Sequence, residues 1–133
     1  MLRLPRGLEA VGSEWFSDNE MERVFIPSTV RELGSCAFCG CKQLREVVFE
    51  PDSELRIIKW SCFSNCGLEE VTIPRSVRTI EEYVFRGCRS LRSLTFEEGS
   101  RLEHVGKDIV RSTQLDEKKV EFPKGAKVEH MGE

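Results

Sequence analysis

Six cysteines and two histidines carry the most distinctive side-chain chemistry in this chain of 133 residues. Cys36, Cys39 and Cys41 lie within one short segment, and Cys62 or Cys66 offers a fourth thiolate for a tetrahedral zinc site. Cysteines also form disulfides in an oxidising compartment, or pack unpaired as small buried hydrophobic side chains. The residue types by themselves leave these three interpretations open.

The two histidines, His104 and His130, offer no catalytic arrangement. A nucleophile needs a base that is held by an orienting group, and the spacing ties neither histidine to a cysteine. There is no Gly-rich phosphate loop, and the carboxylates are spread along the chain rather than paired. We therefore expect no catalytic residues, no cofactor, no bound metal and no enzymatic activity.

Composition and charge narrow the classes of partner. The chain is 39% hydrophobic and 32% charged, with a formal net charge of −3. So small a charge gives no reason to expect nucleic acid as a partner. No apolar run approaches the roughly 18 residues of a membrane-inserted helix, and residues 1–7 lack the apolar core of a signal peptide. We expect either a cytoplasmic protein or a fragment of a cell-surface protein.

An internal repeat organises the whole chain. Its copies begin near residues 8, 30, 55, 77 and 102, so the intervals alternate between 22 and 25 residues. The junctions alternate in step, because 26–30 resembles 73–77 whereas 49–55 resembles 96–102. No single copy can bury its apolar residues, but stacked copies share a continuous core.

Each copy contains a short apolar segment that is typical of a β-strand. The predicted strands are residues 24–26, 47–49, 71–73, 94–96 and 120–122. The Phe-x-x-Cys stretch between strands predicts a tight helical turn. The sequence thus predicts an α/β-type solenoid with a parallel sheet of one strand per coil, forming one domain over 1–133. The divergent, charged last coil is either a polar end cap or an eroded repeat.

Residues 26–49 read Ile-Pro-Ser-Thr-Val-x-x-Leu-Gly-x-x-Ala-Phe-x-x-Cys-x-x-Leu-x-x-Val-x-Phe, which resembles the BspA-type (Treponema pallidum-type) leucine-rich repeat. The similarity covers roughly residues 8–105. It implies a right-handed, non-catalytic solenoid used for protein binding or cell adhesion. The chain departs from the pattern at Asn19, which replaces the cysteine, and at Trp15 and Cys62, which replace the alanine.

Three of the cysteines, Cys41, Cys66 and Cys88, occupy one column of the repeat. We favour an unpaired ladder in the core, because three cysteines in a column leave one without a disulfide partner. A disulfide and the zinc site stay as alternatives.

The outward positions of the predicted strands form a candidate partner-binding surface. One column grades from apolar to acidic and comprises Phe25, Val48, Thr72, Thr95 and Glu121. The two neighbouring columns are charged, namely Glu22, Arg45, Glu69, Arg92 and Lys118, and Arg23, Glu46, Glu70, Ser93 and Lys119. Phe25 and Val48, bordered by Arg23, Arg45 and Glu46, form an apolar patch with a charged rim, which is the usual composition of a protein contact.

Trp60 is a further candidate anchor for a partner. It takes the position of Ser13, Ser35 and Glu81 in other copies and should be partly exposed on the turn side. Packing of the indole over a neighbouring coil is the alternative.

We therefore predict a protein-protein interaction or adhesion module whose partner is a protein of unknown identity. The alternative is a structural segment of a larger protein that associates end to end. Its first coil has an uncapped edge near Leu8, Val11 and Trp15, and such edges pair with one another.

Overall fold

The chain coils so that each repeat adds one short strand to each of two faces. The computed structural model describes residues 1–129, in which the strands pair in parallel. The architecture is a β-solenoid of about six turns, which confirms the stacked-repeat prediction.

The long-strand face carries four-residue strands at four of the five predicted places. These strands, with a short one before them, are β1 (Leu2–Arg3), β3 (Arg23–Ile26), β5 (Glu46–Phe49), β7 (Glu70–Ile73) and β9 (Ser93–Phe96). Their register pairs Val24 with Val47 and Val71 with Leu94, so that inward positions stack on inward positions. β1 pairs with β3 and is not among the predicted strands.

The opposite face carries a second sheet that the sequence analysis did not predict. Its two-residue strands are β2 (Ala10–Val11), β4 (Glu32–Leu33), β6 (Ile57–Ile58), β8 (Thr79–Ile80), β10 (His104–Val105) and β11 (Lys127–Val128). They form one continuous six-stranded sheet. From β2 to β10, the second residue of each strand is buried, so this face also encloses the core.

The Phe-x-x-Cys stretches are tight turns rather than helical turns, so the α/β description is not confirmed. The Ser17 amide donates to the Glu14 carbonyl at 3.2 Å, whereas the Phe16 amide donates to the Ala37 carbonyl of the next coil at 2.8 Å. Because alternate amides bond between coils, an i→i−4 helical ladder does not form. Within residues 1–129 the helical structure consists of one short 3₁₀ helix, Glu117–Lys119.

The prediction of a strand at residues 120–122 is wrong. Spacing gives the reason, because Val120 follows Leu94 by 26 residues whereas Leu94 follows Val71 by 23. The last copy is too long to remain in register with the strand before it. Lys118, Lys119 and Glu121 therefore do not continue the predicted strand-face columns.

The long-strand face is interrupted between β5 and β7. β5 pairs with β3 and β7 pairs with β9, but in the described chain no ladder joins β5 to β7. β5 lies in a coil of 25 rather than 22 residues, and the additional residues flank the strand on both sides. Val47 and Phe49 of β5 are half-buried, whereas Val71 and Ile73 of β7 are buried.

Two turn positions in successive coils adopt a left-handed backbone. One column comprises Glu14, Cys36, Ser61, Tyr83 and Asp108, and the other comprises Asp18, Gly40, Asn65, Gly87 and Ser112. A Cβ on Gly40 would collide with the Asp18 carboxylate, and a Cβ on Gly87 would collide with the Asn65 side chain. Short polar residues thus alternate with glycine, and the structural unit is a pair of coils.

Columns of identical or similar side chains form the core. Phe16, Phe38, Phe63 and Phe85 stack with ring centroids 5.4, 5.3 and 5.8 Å apart. The last three rings are buried, as are the leucines that follow them in each coil. This continuous stack holds the two faces of the solenoid at a fixed separation, and the exposed residues of both faces project from it.

Candidate functional site

The register brings predicted strand-face residues of adjacent coils side by side. Arg23 lies opposite Glu46, with 2.6 Å between Arg23 Nε and Glu46 Oε1. Arg45 reaches back to Glu22, with 3.5 Å between Nη2 and Oε1. These side chains are exposed, so each ion pair stabilises the stack by at most about 1 kcal/mol. They orient the charges that border the apolar residues of the same strands.

Phe25 and Val48 lie opposite each other on β3 and β5, as predicted. Both side chains are half-buried. The Arg3 guanidinium lies over the Phe25 ring, 5.2 Å from its centroid, and this neighbour was not predicted because β1 was not. The patch therefore has a cation above one ring and an ion pair, Arg23–Glu46, along one side.

Thr72 and Thr95 form a second pair rather than a continuation of the first. They lie opposite each other on β7 and β9, are exposed, and share a hydrogen bond of 2.9 Å between their hydroxyl oxygens. The interruption between β5 and β7 separates them from Phe25 and Val48. The outward column that was predicted as one surface is thus divided into two pairs, Phe25 with Val48 and Thr72 with Thr95, which lie on two separate sheets.

Trp60 lies apart from the strand face, in the turns that follow β6. Its side chain is 49% exposed, and its amide donates to the Glu81 carboxylate at 3.0 Å. The coil-to-coil hydrogen bonds place Glu82, not Glu81, in the Trp60 column, because the Ser61 amide donates to the Glu82 carbonyl. Phe25 lies on β3, whereas Trp60 follows β6 of the other sheet, so a partner held by Phe25 would not also reach Trp60 on the same face.

A cleft of about 400 Å3 follows the interruption between β5 and β7 and was missed by the sequence analysis. Its floor includes the half-buried Val47 and Phe49. Five carboxylates line it and no basic side chain does: Glu46, Glu50, Asp52, Glu70 and Glu97. The alternation of coil lengths was the available signal, but it does not say which strands separate.

A larger cleft of about 950 Å3 lies beside β9, where residues 120–122 fail to pair. Its lining includes Leu94, Phe96 and Leu115, so its floor is also partly apolar. Its lining contains as many basic as acidic side chains, namely Arg92, Lys119 and Lys124, and Glu97, Asp116 and Glu121. The two clefts therefore differ in charge although both follow 25-residue coils.

The predicted cysteine ladder is present in the core. Cys41, Cys66 and Cys88 are buried, and each thiol approaches the carbonyl of the phenylalanine in the preceding coil. The Sγ–O distances are 3.1 Å to Phe16, 3.0 Å to Phe38 and 2.9 Å to Phe63. The thiol thus donates a hydrogen bond between coils as well as filling the core, which explains why cysteine recurs in this column.

The remaining cysteines are also unpaired. Burial and the adjacent Cys36 thiol raise the pKa of Cys39 to about 11. Contact with Cys41 and Cys88, together with burial, raises the pKa of Cys66, and burial raises that of Cys62. Contact with Cys66 lowers the pKa of Cys41 and Cys88, so the shifts differ in sign along the ladder. The raised pKa of Cys39, Cys62 and Cys66 keeps these three thiols in the protonated form, which is neither nucleophilic nor metal-binding.

The structure shows no arrangement with assignable catalytic or metal-binding roles in residues 1–129. No three histidine, cysteine, aspartate or glutamate side chains in this part of the chain are placed to share a metal ion. His104 is exposed on β10, and His130 lies outside the described residues. No helix in the same range is long and apolar enough to cross a membrane.

Coils that each add one strand to a parallel face, around stacked leucine and phenylalanine columns, define a leucine-rich repeat solenoid. The family model of the BspA type leucine rich repeat region matches residues 9–132 in six copies, and the chain belongs to this family. Among curated proteins, no sequence is significantly similar to it.

Several solved structures share the fold. The pneumococcal vaccine antigen PcpA superposes with a TM-score of 0.75 at 23% identity, over 89% of this chain and 36% of the antigen. A leucine-rich repeat protein from Bacteroides capillosus superposes with a TM-score of 0.65 at 25% identity, over 72% of this chain and 75% of that protein. A leucine rich cell surface protein from Faecalibacterium prausnitzii superposes with a TM-score of 0.60 at 19% identity, over 97% of this chain and 43% of that protein. The chain thus spans well under half of the antigen.

Proposed function

We propose that this chain is a non-catalytic protein-binding module that meets its partner with the long-strand face. The observation that carries the proposal is the opposed pair of Phe25 and Val48 on adjacent strands, accessible to solvent inside a charged rim. Apolar side chains at the centre of a contact supply most of its binding energy, and a polar rim supplies orientation.

The rim is already organised for such a contact. Arg23 and Glu46 hold each other at 2.6 Å, and Arg45 is held by Glu22. Side chains that are ordered before binding lose less conformational entropy when a partner covers them. Arg3 is the exception, because its contact with the Phe25 ring has to be exchanged for contacts with the partner.

Adhesion at a cell surface is the specific form of protein binding that we favour. The neighbour from Faecalibacterium prausnitzii is a cell surface protein, and the pneumococcal neighbour is a vaccine antigen. Both share the fold of this chain. This supports an extracellular partner for the present chain and a place for it within a longer surface protein.

The test exchanges the two apolar residues for charged ones. Phe25→Asp with Val48→Asp should abolish capture of the protein partners that the immobilised wild-type chain retains. The matched control, Gln43→Asp with Ser90→Asp, adds the same charge at exposed positions outside the patch and should retain them. Circular dichroism checks that both variants are folded. Undiminished capture by the first variant would reject the long-strand face as the contact.

A second candidate function is end-to-end self-association, which one observation favours. Trp15 is 57% exposed, although its column is buried in the following coils at Ala37, Cys62 and Val84. Sedimentation should show a concentration-dependent dimer that Trp15→Glu abolishes. A monomer at every concentration for both proteins would reject this candidate.

A further inference from the structure

We propose that the cleft between β5 and β7 binds an extended, lysine- or arginine-rich segment of a partner protein. The inference rests on the proposed protein-binding function and names the chemistry of one contact. Two features of the cleft lead to it: unpaired strand edges on both sides, and a lining that contains carboxylates but no basic side chain.

The strand edges favour an extended backbone. The edge of β5 that faces β7, and the edge of β7 that faces β5, have no ladder partner in the described chain. Such edges expose amide and carbonyl groups to which an extended segment can hydrogen-bond, the mode that many peptide-binding domains use. The half-buried Val47 and Phe49 provide apolar surface beneath it.

The charges favour a basic occupant. Glu46 and Glu70 lie at the start of the two strands, and Glu50 and Asp52 follow β5. Glu97 follows β9 and reaches the end of β7, because its amide donates to the Ile73 carbonyl. A cleft lined by one sign of charge concentrates the field and attracts the opposite charge. Along β5, Glu46 and Glu50 are four residues apart, about 13 Å in an extended chain. Basic side chains at alternate or every fourth position of an extended segment match that spacing.

The existing partners of these carboxylates leave acceptor capacity free. Glu46 binds Arg23 at 2.6 Å, and Glu70 is 4.0 Å from Arg92. Glu50 and Glu97 accept backbone amides of the preceding coil at 2.8 and 2.9 Å, and Arg75 Nη2 is 3.8 Å from Glu97. A carboxylate has about four acceptor positions, so each can also bind a basic side chain of the partner.

The cleft beside β9 serves as an internal comparison. It follows the equivalent coil and has a free strand edge, but its lining balances three basic against three acidic side chains. A free edge alone would make both clefts equally attractive to any extended segment. Charge therefore distinguishes them, and a basic segment should prefer the cleft between β5 and β7.

The experiment uses a fluorescein-labelled octapeptide of alternating lysine and valine, with its glutamate–valine counterpart as the comparison. Fluorescence anisotropy with the full chain should show saturable binding of the basic peptide only. Glu70→Gln with Asp52→Asn should weaken it about 2- to 30-fold, the range for two exposed ion pairs. The control, Glu9→Gln with Glu103→Gln, changes the net charge equally outside the cleft and should bind like wild type.

Two results would overturn the proposal: no saturable binding of the basic peptide, or an equal loss in both double variants, which indicates attraction to the overall charge only. Thermal unfolding of each variant confirms that it is folded. Phe25 and Val48 are unchanged in this assay and no natural partner is needed. A negative result thus rejects the basic segment alone, whereas the aspartate variants of those two residues test the long-strand face.

Discussion

Shortening Phe63 is the most direct test of how the stacked core holds the solenoid together. The Phe63 ring is buried between Phe38 and Phe85, with centroid distances of 5.3 and 5.8 Å and interplanar angles of 6° on both sides. Because parallel rings in contact are only about 3.5–4 Å apart in the perpendicular direction, these rings are offset. Offset stacking is a favourable geometry for aromatic pairs.

The magnitude follows from the number of ring neighbours. Phe63→Ala should cost about 3–5 kcal/mol through lost burial and a cavity, which is about a fifth or more of a typical domain stability. Phe63→Leu keeps an apolar side chain and loses two ring pairs, each worth about 0.5–1.5 kcal/mol beyond burial. Phe85 is equally buried and, among the described residues, stacks on Phe63 alone, at 5.8 Å, so Phe85→Leu should cost about half as much as Phe63→Leu.

Urea unfolding followed by far-UV circular dichroism measures these differences, with the slope of each transition compared to check that the same structure unfolds. The expected order of destabilisation is Phe63→Ala above Phe63→Leu above Phe85→Leu. If Phe63→Leu costs no more than Phe85→Leu, then ring stacking contributes nothing to the stability of the core beyond apolar burial.

Three further predictions follow from single positions. Gly40→Ala should cost about 1–2 kcal/mol in urea unfolding, because the left-handed backbone opposes a side chain. The Asp18 carboxylate that the methyl group would meet ends an exposed side chain that can rotate away, so Gly99→Ala, left-handed in open space, should cost a similar amount, and a clearly larger cost for Gly40→Ala would contradict this. Iodoacetamide should label Cys39 slowly at pH 8 and faster as the pH approaches its pKa of about 11, which mass spectrometry can follow; rapid labelling at pH 8 would contradict this. The Ser28 amide donates to Glu50 and lowers the pKa of this carboxyl from 4.5. The stabilisation by this hydrogen bond is therefore present above pH 4.5 and is lost as the pH falls through the lowered value. The Tm advantage of wild type over Glu50→Gln should shrink below pH 4.5, and a constant difference would count against the hydrogen bond.

Repeat spacing was sufficient to predict the interior of the fold. Cys41, Cys66 and Cys88 recur at one position of the repeat, and the structure stacks them in the core as expected. Interior columns are predictable because each residue touches its equivalent in the next coil, so sequence register becomes spatial register. The same reasoning placed Phe25 opposite Val48.

The features that sequence reasoning missed depend on how far each coil extends. Two-residue strands such as Glu32–Leu33 are too short for a period-two pattern to appear, so the second sheet was not predicted. The acidic cleft lies where β5 and β7 do not pair, and the alternation of 22 and 25 residues does not indicate which strands separate. For residues 120–122 the signal was present, because their spacing from β9 departs from the earlier intervals, but the apolar pattern outweighed it.

Within the two-coil unit, stacking fixes the identity of some side chains and leaves the identity of others unconstrained. Gly40 and Gly87 have equivalent neighbours in Asp18 and Asn65, so this arrangement of the turns repeats every second coil. The clefts beside β5 and β9 also recur with the unit, yet one is lined by carboxylates alone and the other by mixed charges. Side chains in the clefts do not contact their equivalents in the next coil across an intact ladder, so stacking does not fix their identity. Partner specificity in such a solenoid is therefore expected where the sheet opens, and continuous strand pairing supplies the rigid surface around it.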